Sequence, residues 1–124
     1  MVVADMGTSL AFYRRLGLDL PAEADEQPHV EVTVAGGLRL AFDSEEVIRS
    51  FAPDWQPAHG AGRIGLAFRV DGPPDVDAAY AELVDAGYHG ECAPWDAFWG
   101  QRYAVVHDPD GNSVDLFAPL AANS

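Results

Sequence analysis

The sequence predicts an α+β fold of two tandem β-α-β-β-β modules, forming a curved mixed sheet around a concave pocket with the helices on the outside. Two observations carry this prediction. Along the 124 residues, strand-like and helix-like periodicities alternate twice in the same order. The segments around Tyr13 and Tyr80 also resemble each other, at a period of roughly 67–70 residues, which indicates an internal repeat. We therefore assign one domain over residues 1–124, with module one at 1–43, a linker at 44–62 and module two at 63–119.

Module one begins with a short strand, because only residues 1–4 precede its helix. Asp5 is placed to cap that helix, and Gly17 is placed to end it. Leu10 and Tyr13 recur at helical spacing and mark the face that packs inward. The remaining predicted elements of this module are strands at 18–21, 29–34 and 38–42, with a hairpin turn at 35–37.

The linker combines a predicted helix over residues 45–51 with a Pro/Gly-rich stretch, and module two then repeats the plan. Pro73 and Pro74 are expected to interrupt the chain between its first strand and its helix. A tight turn is expected after Asp108, because Pro109 presets φ and Gly111 tolerates positive φ. The predicted elements of module two are a strand at 64–70, a helix at 75–86 and strands at 88–93, 102–107 and 113–117.

The charge balance restricts the partners of this protein. Seven basic residues, all of them arginine, oppose twenty acidic ones, for a formal net charge of −13. Such a field repels nucleic acid and attracts cations, so we expect no nucleic-acid partner and a neutral or cationic ligand. No apolar run approaches the roughly 20 residues of a membrane span, and no secretory leader is evident, so we expect a cytoplasmic protein without a membrane partner.

An aromatic loop over residues 94–99 is the most distinctive segment, because it offers a stacking surface for a flat ligand. In the strands that follow, alternation directs one set of side chains under the helices and the other toward the pocket. The candidate ligand-binding residues of module two are Trp95, Phe98, Trp99, Tyr103, His107, Asp115 and Phe117. The candidates before module two are His29, Glu31, Arg39, Asp43 and, in the linker, Trp55.

The order of the elements resembles the vicinal oxygen chelate (glyoxalase/bleomycin resistance/dioxygenase) superfamily. The residues that carry this resemblance are 3–5, 9–13, 16–18, 66–71 and 108–116. Enzymes of the superfamily bind a metal through a residue of the first strand, a His opening the second half and a Glu in the last strand. Here the His position matches Gly65, the Glu position matches Asp115, and the first-strand position falls before Met1. The resemblance therefore implies no metal site, no cofactor and no catalytic residue in this chain.

A second set of residues is similar to the mitomycin-binding drug resistance proteins within that superfamily. This set comprises 20–25, 49–50, 53–56, 80–88, 99–105 and 108–119. The resemblance implies sequestration of a planar, aromatic or quinone-like drug, for antibiotic resistance or drug transport. It also implies a homodimer, as is common for superfamily members with two such modules.

Two other functions stay open. One is a metal-dependent enzyme, either a glyoxalase-like lyase or isomerase or a dioxygenase, which needs a metal ligand upstream of Met1. The other is a non-catalytic subunit whose aromatic rim contacts another protein. Stoichiometric binding of Zn²⁺, Ni²⁺ or Fe²⁺ favours the enzyme, whereas a stable heteromeric complex without small-molecule binding favours the subunit.

Overall fold

A computed structural model of the chain describes residues 1–57, 62 and 64–121. The α+β class predicted from the sequence is confirmed, with two mixed sheets of three and four strands and three α-helices among these residues. The chain divides after residue 59 into two compact units. The elements of unit one are β1 (Val2–Val3), α1 (Met6–Arg15), β2 (His29–Thr33), β3 (Arg39–Ser44) and α2 (Glu45–Phe51). The elements of unit two are β4 (Leu66–Arg69), α3 (Pro73–Asp85), β5 (Gly90–Ala97), β6 (Gln101–His107) and β7 (Ser113–Pro119).

Unit one is a three-stranded sheet in the order β1-β3-β2, with α1 packed against it. The Asp5 side chain caps α1 by accepting a hydrogen bond from the backbone N–H of Thr8 at 2.9 Å, and the helix gives way to Gly17 at a φ of 94°. The predicted cap and stop of α1 are therefore both confirmed. Leu10 and Tyr13 of the helix are fully buried, so the core of unit one lies between α1 and its sheet.

The strand predicted at residues 18–21 does not form, and this prediction is wrong. A 3₁₀ helix over Ala22–Glu26 follows the end of α1 instead. The Arg14 guanidinium donates to the carbonyl oxygens of Leu20 at 2.6 Å and Pro21 at 2.7 Å, and it pairs with the Asp25 carboxylate at 2.7 Å. These carbonyls are occupied by a side chain, and Pro21 has no N–H to offer a neighbouring strand. Unit one is consequently β-α-β-β.

Unit two is a four-stranded sheet in the order β4-β7-β6-β5, with β4 parallel to β7 and the other pairs antiparallel. Helix α3 packs on β5, β6 and β7. Pro73 and Pro74 occupy the first helical turn, where a missing N–H costs nothing, so they begin α3 rather than interrupt the chain before it. Pro94 is tolerated inside β5 because that strand lies at the edge of the sheet and its register shifts between Cys92 and Trp95.

The two units share a plan, as the internal repeat predicts. In each, the first strand pairs parallel with the last one, a helix follows the first strand, and the last strand also pairs antiparallel with the strand before it. Strand β5 has no counterpart in unit one. The linker prediction holds for its helix, which is α2 as expected, while residues 58–61 lie outside the described part of the chain. None of the helices described here has the length and apolar character needed to cross a bilayer.

A buried carboxylate organises the turn between β6 and β7. Asp108 is only 4% exposed, and its side chain accepts hydrogen bonds from the backbone N–H groups of Asp110 at 3.0 Å and Asn112 at 2.8 Å. It also accepts one from the Asn112 side chain at 2.9 Å. Gly111 supplies the positive φ of 83°, as predicted. Because this turn joins the two central strands of the sheet, it fixes their register.

We expect the Asp108→Ala variant to lower the free energy of unfolding by about 1–3 kcal/mol, because it removes the three hydrogen bonds that the buried carboxylate accepts. Urea denaturation followed by circular dichroism measures this. Asp85→Ala, which removes an exposed carboxylate from α3, is the matched control and should change stability by less than about 0.5 kcal/mol. Equal effects of the two substitutions would show that the Asp108 side chain does not hold the turn.

Candidate functional site

The aromatic segment predicted as a loop is mostly a strand. Strand β5 continues to Ala97, which pairs with Gln101 across a turn, so Trp95 projects from the sheet and only residues 98–100 form the turn. The prediction of a loop is therefore wrong for residues 94–97. It failed because the proline at position 94 indicates a loop, whereas an edge strand accommodates it. The ring of Trp95 is thus held by a sheet rather than by a flexible segment.

Four rings on β5, β6, β7 and the β5–β6 turn form what we call the aromatic cluster, which consists of Trp95, Trp99, Tyr103 and Phe117. The ring centroids of Trp95 and Trp99 are 6.2 Å apart, and both rings lie edge to face with Tyr103 at 5.6 and 5.2 Å. Tyr103 and Phe117 are partners in the β6–β7 register, and their rings are near parallel at 26° and 6.4 Å. These are favoured arrangements of aromatic pairs. The cluster is consequently a packed surface with fixed ring directions.

Two members of the turn extend this surface toward solvent. Trp99 is 48% exposed, and its indole N–H donates to the Gln101 side-chain oxygen at 2.8 Å, which orients the ring. Phe98 is 97% exposed and meets Trp99 edge to face at 5.0 Å. Gln101 was not among the predicted site residues. The alternation that placed Tyr103 on this face also places Gln101 there, two residues earlier on β6. This alternation could have identified Gln101 as a site residue.

A single carboxylate lies beside the aromatic cluster. Asp115 is half-buried in β7, opposite Val105 of β6, and the hydroxyl of Tyr103 donates a hydrogen bond to its Oδ2 atom. Burial raises the pKa of Tyr103 to about 12, and the bond to Asp115 acts in the same direction. Tyr103 is therefore a protonated donor throughout the neutral range. The predicted alternation is confirmed for these strands, since Val114 and Leu116 are fully buried while Asp115 and Phe117 are not.

His107 lies apart from the aromatic cluster. It is four residues from Tyr103 along β6, which corresponds to about 13 Å in a strand. Its Nε2 atom contacts the Glu91 carboxylate at 2.5 Å, and its ring lies 4.8 Å from that of His89. Glu91 was missed because the register of β5 shifts on either side of Cys92, so simple alternation does not hold there.

The predicted residues of module one form a second group in unit one, which we call the acid–base cluster: His29, Glu31, Arg39 and Asp43. His29 bonds the Asp43 carboxylate through Nδ1, and its Nε2 lies 3.0 Å from Glu31. Arg39 holds the other Glu31 oxygen at 3.0 Å. The bond to Asp43, followed by the bond to Glu31, raises the pKa of His29 above its ordinary value, while the His29 bond and the charge of Arg39 lower the pKa of Glu31.

The last predicted residue, Trp55, also lies in unit one. The Arg49 guanidinium carbon is 5.3 Å from the centroid of its ring, a cation–π distance. Unit one also carries a depression of about 330 Å³ lined by Pro28, Ser44, Glu46, Val47 and Ser50, none of which is a predicted site residue. Among the described residues, no group of three or more His, Cys, Asp or Glu side chains has a geometry that could hold a metal ion.

A protein-family model agrees with this architecture. The model described as the Glyoxalase/Bleomycin resistance protein/Dioxygenase superfamily matches residues 1–116. No curated protein matches the chain significantly.

Solved structures share the fold. A glyoxalase/bleomycin resistance protein/dioxygenase family enzyme of Burkholderia phytofirmans PsJN has a TM-score of 0.81 at 20% identity, covering 97% of this chain and 94% of its own. A glyoxalase-related enzyme of Fulvimarina pelagi has a TM-score of 0.74 at 20% identity, covering 94% and 84%. The hypothetical protein SA1046 of S. aureus has a TM-score of 0.76 at 18% identity, covering 95% and 88%. At such identities the likeness establishes the fold alone.

We expect the acid–base cluster to stabilise the protein when His29 is protonated. Because the folded-state pKa of His29 is raised, this contribution is complete below the unfolded pKa and is lost as the pH rises through the folded value. NMR titration of the imidazole should show a raised pKa in the wild type and a lower one in Asp43→Asn. An unchanged titration in that variant would contradict the assigned order of causes.

We also expect Tyr103 to ionise late. Alkaline absorbance titration should show a step at a pKa of about 12, and the amplitude of this step should fall in Tyr103→Phe. Asp115→Asn should lower the pKa of Tyr103, because the anionic acceptor is lost. The matched variant Tyr80→Phe should leave the late step in place.

Proposed function

The chain belongs to the glyoxalase/bleomycin resistance protein/dioxygenase superfamily, and on that premise we propose that it binds and sequesters a planar small molecule without transforming it. The ligand is a flat, neutral or cationic compound of the antibiotic type, aromatic or quinone-like. This is the class that the likeness to mitomycin-binding resistance proteins suggests. Binding of this kind protects a cell by lowering the free concentration of the drug, and a protein of this kind also serves to carry the drug.

The aromatic cluster is the observation that carries this proposal. Its rings are fixed against each other, and Trp99, which is half exposed, presents a large apolar face to solvent. A rigid ring loses little conformational entropy when a flat ligand stacks on it. Stacking contributes roughly 0.5–1.5 kcal/mol per ring pair beyond the apolar area that it buries. Two or three rings in contact with one ligand would therefore contribute about 1–4.5 kcal/mol in addition to the burial of apolar area.

The residues of this chain do not fit the metal site of the superfamily enzymes. The position of the metal-binding His is Gly65, which has no side chain to offer a ligand atom. The position of the metal-binding Glu is Asp115, one methylene shorter, and its Oδ2 already accepts the Tyr103 hydroxyl. A transition metal with an open coordination position needs about three protein ligands in a defined geometry. We therefore derive no metal-dependent step for this chain.

The assembly and location of the protein belong to the same proposal. We infer a homodimer because homodimers are common among superfamily members with two such modules. We infer a cytoplasmic protein from the composition of the sequence. Neither is required by the stacking mechanism, which uses only rings of unit two. The ligand-binding experiment below can therefore succeed or fail independently of the oligomeric state.

We expect the Trp99→Ala variant to raise the dissociation constant for mitomycin C, or for a neutral anthraquinone, by about tenfold. One lost stacking contact together with its apolar area corresponds to roughly 1.4 kcal/mol. Titration followed by fluorescence of the remaining tryptophans measures the affinity, with EDTA present throughout.

Phe51→Ala is the matched control, because Phe51 is an aromatic residue of unit one that is 71% exposed. It should leave the affinity unchanged. Equal affinity of the wild type and Trp99→Ala would exclude stacking on this ring. Stoichiometric binding of Zn²⁺, Ni²⁺ or Fe²⁺ by the protein in a separate titration without EDTA would instead support the metal-dependent enzyme.

A further inference from the structure

Asp115 is the one acidic residue in strands β6 and β7, both of which are described over their full length. Its neighbours in the sheet are Val105 on β6 and Ala67 on β4, and both of these side chains are apolar. Phe117 lies two positions further along the same face. A carboxylate in such surroundings loses part of its hydration without gaining a positive partner, which makes it a strong site for a ligand cation.

The Asp115 carboxylate can accept further hydrogen bonds. The Tyr103 hydroxyl donates to Oδ2, and no described residue donates to the other oxygen, Oδ1. A hydroxyl has a single proton to give, so this bond orients the carboxylate but does not neutralise it. Arg69, opposite Phe117 on the edge strand β4, is exposed, and within the described part of the chain no ion pair joins it to Asp115.

We propose that Asp115 selects a ligand whose flat ring system carries a protonated amine, and that Tyr103 positions the carboxylate for it. This inference rests on the proposed function, because it assigns the charged end of the ligand that the aromatic cluster holds. The ammonium group bonds Oδ1 while the rings stack beside it on Trp99 and its neighbours. The net charge of −13 favours the approach of such a cation and disfavours an anionic analogue.

Two probes of equal shape separate the charge from the stacking. We choose 9-(aminomethyl)anthracene, which is cationic at pH 7, and 9-(hydroxymethyl)anthracene, which is neutral. The wild type should bind the cation at least about tenfold more tightly, as expected for a partly desolvated charge-assisted bond. In Asp115→Asn the two probes should bind with equal affinity. Binding of the neutral probe by Asp115→Asn shows in the same experiment that this variant is folded.

Two further variants complete the test. Asp85→Asn removes the same charge from an exposed position of α3 and should keep the full preference for the cation. Tyr103→Phe retains the ring but loses the hydroxyl, so it should reduce the preference for the cation several-fold. These two variants distinguish a local contact from the general field of the protein.

The outcomes separate the two proposals. If the wild type binds both probes equally, the assignment of Asp115 is overturned and the stacking function stands. If the preference is lost in Asp85→Asn as well, it reflects net charge and the assignment is again overturned. If the wild type binds neither probe, both proposals are overturned.

Discussion

The antiparallel pairing of β6 and β7 is the constraint on which unit two depends. Its register sets Tyr103 opposite Phe117 and Val105 opposite Asp115. The alternate positions, which include Val114 and Leu116, are buried under α3. A slip of β7 by one residue would exchange its two faces, placing Asp115 and Phe117 in the core and Val114 and Leu116 on the surface. The register of β6 and β7 therefore determines both which of their residues form the hydrophobic core and which form the candidate site.

The turn at Asp108 and the edge strand β5 complete that arrangement. The buried Asp108 carboxylate accepts hydrogen bonds from backbone N–H groups of the tight turn. These bonds hold the connection between the two central strands in one conformation. Strand β5 adds Trp95 to the side of Tyr103, and its turn adds Trp99. Burial on this surface is the largest cause of the rise in the pKa of Tyr103 to about 12. A carboxylate on this surface therefore loses fewer water molecules on binding a ligand than a carboxylate in open solvent does.

Local chemistry predicted many of the elements. The capping side chain of Asp5, the positive φ of Gly111 and the alternation on β7 each depend on a few neighbouring residues, and all three are as expected. The strand predicted at residues 18–21 does not form because Arg14, in the last turn of α1, donates hydrogen bonds to the carbonyl oxygens of Leu20 and Pro21. The loop predicted around Trp95 failed because an edge position makes Pro94 harmless. Each error involves a side-chain contact or an edge position that the residue pattern of a single segment does not reveal.

The sequence by itself determined the class of the fold and the repeat of the two units, and it supplied a set of candidate residues, because periodicity, capping and charge are local or additive properties. Only the tertiary structure decided which of those candidates meet. It joins Asp115 to Tyr103 and Trp99 to Gln101, and it separates His107 from both by engaging it with Glu91. The physical reason is that such contacts depend on strand register and on bulges, which long-range pairing sets and which no single strand encodes.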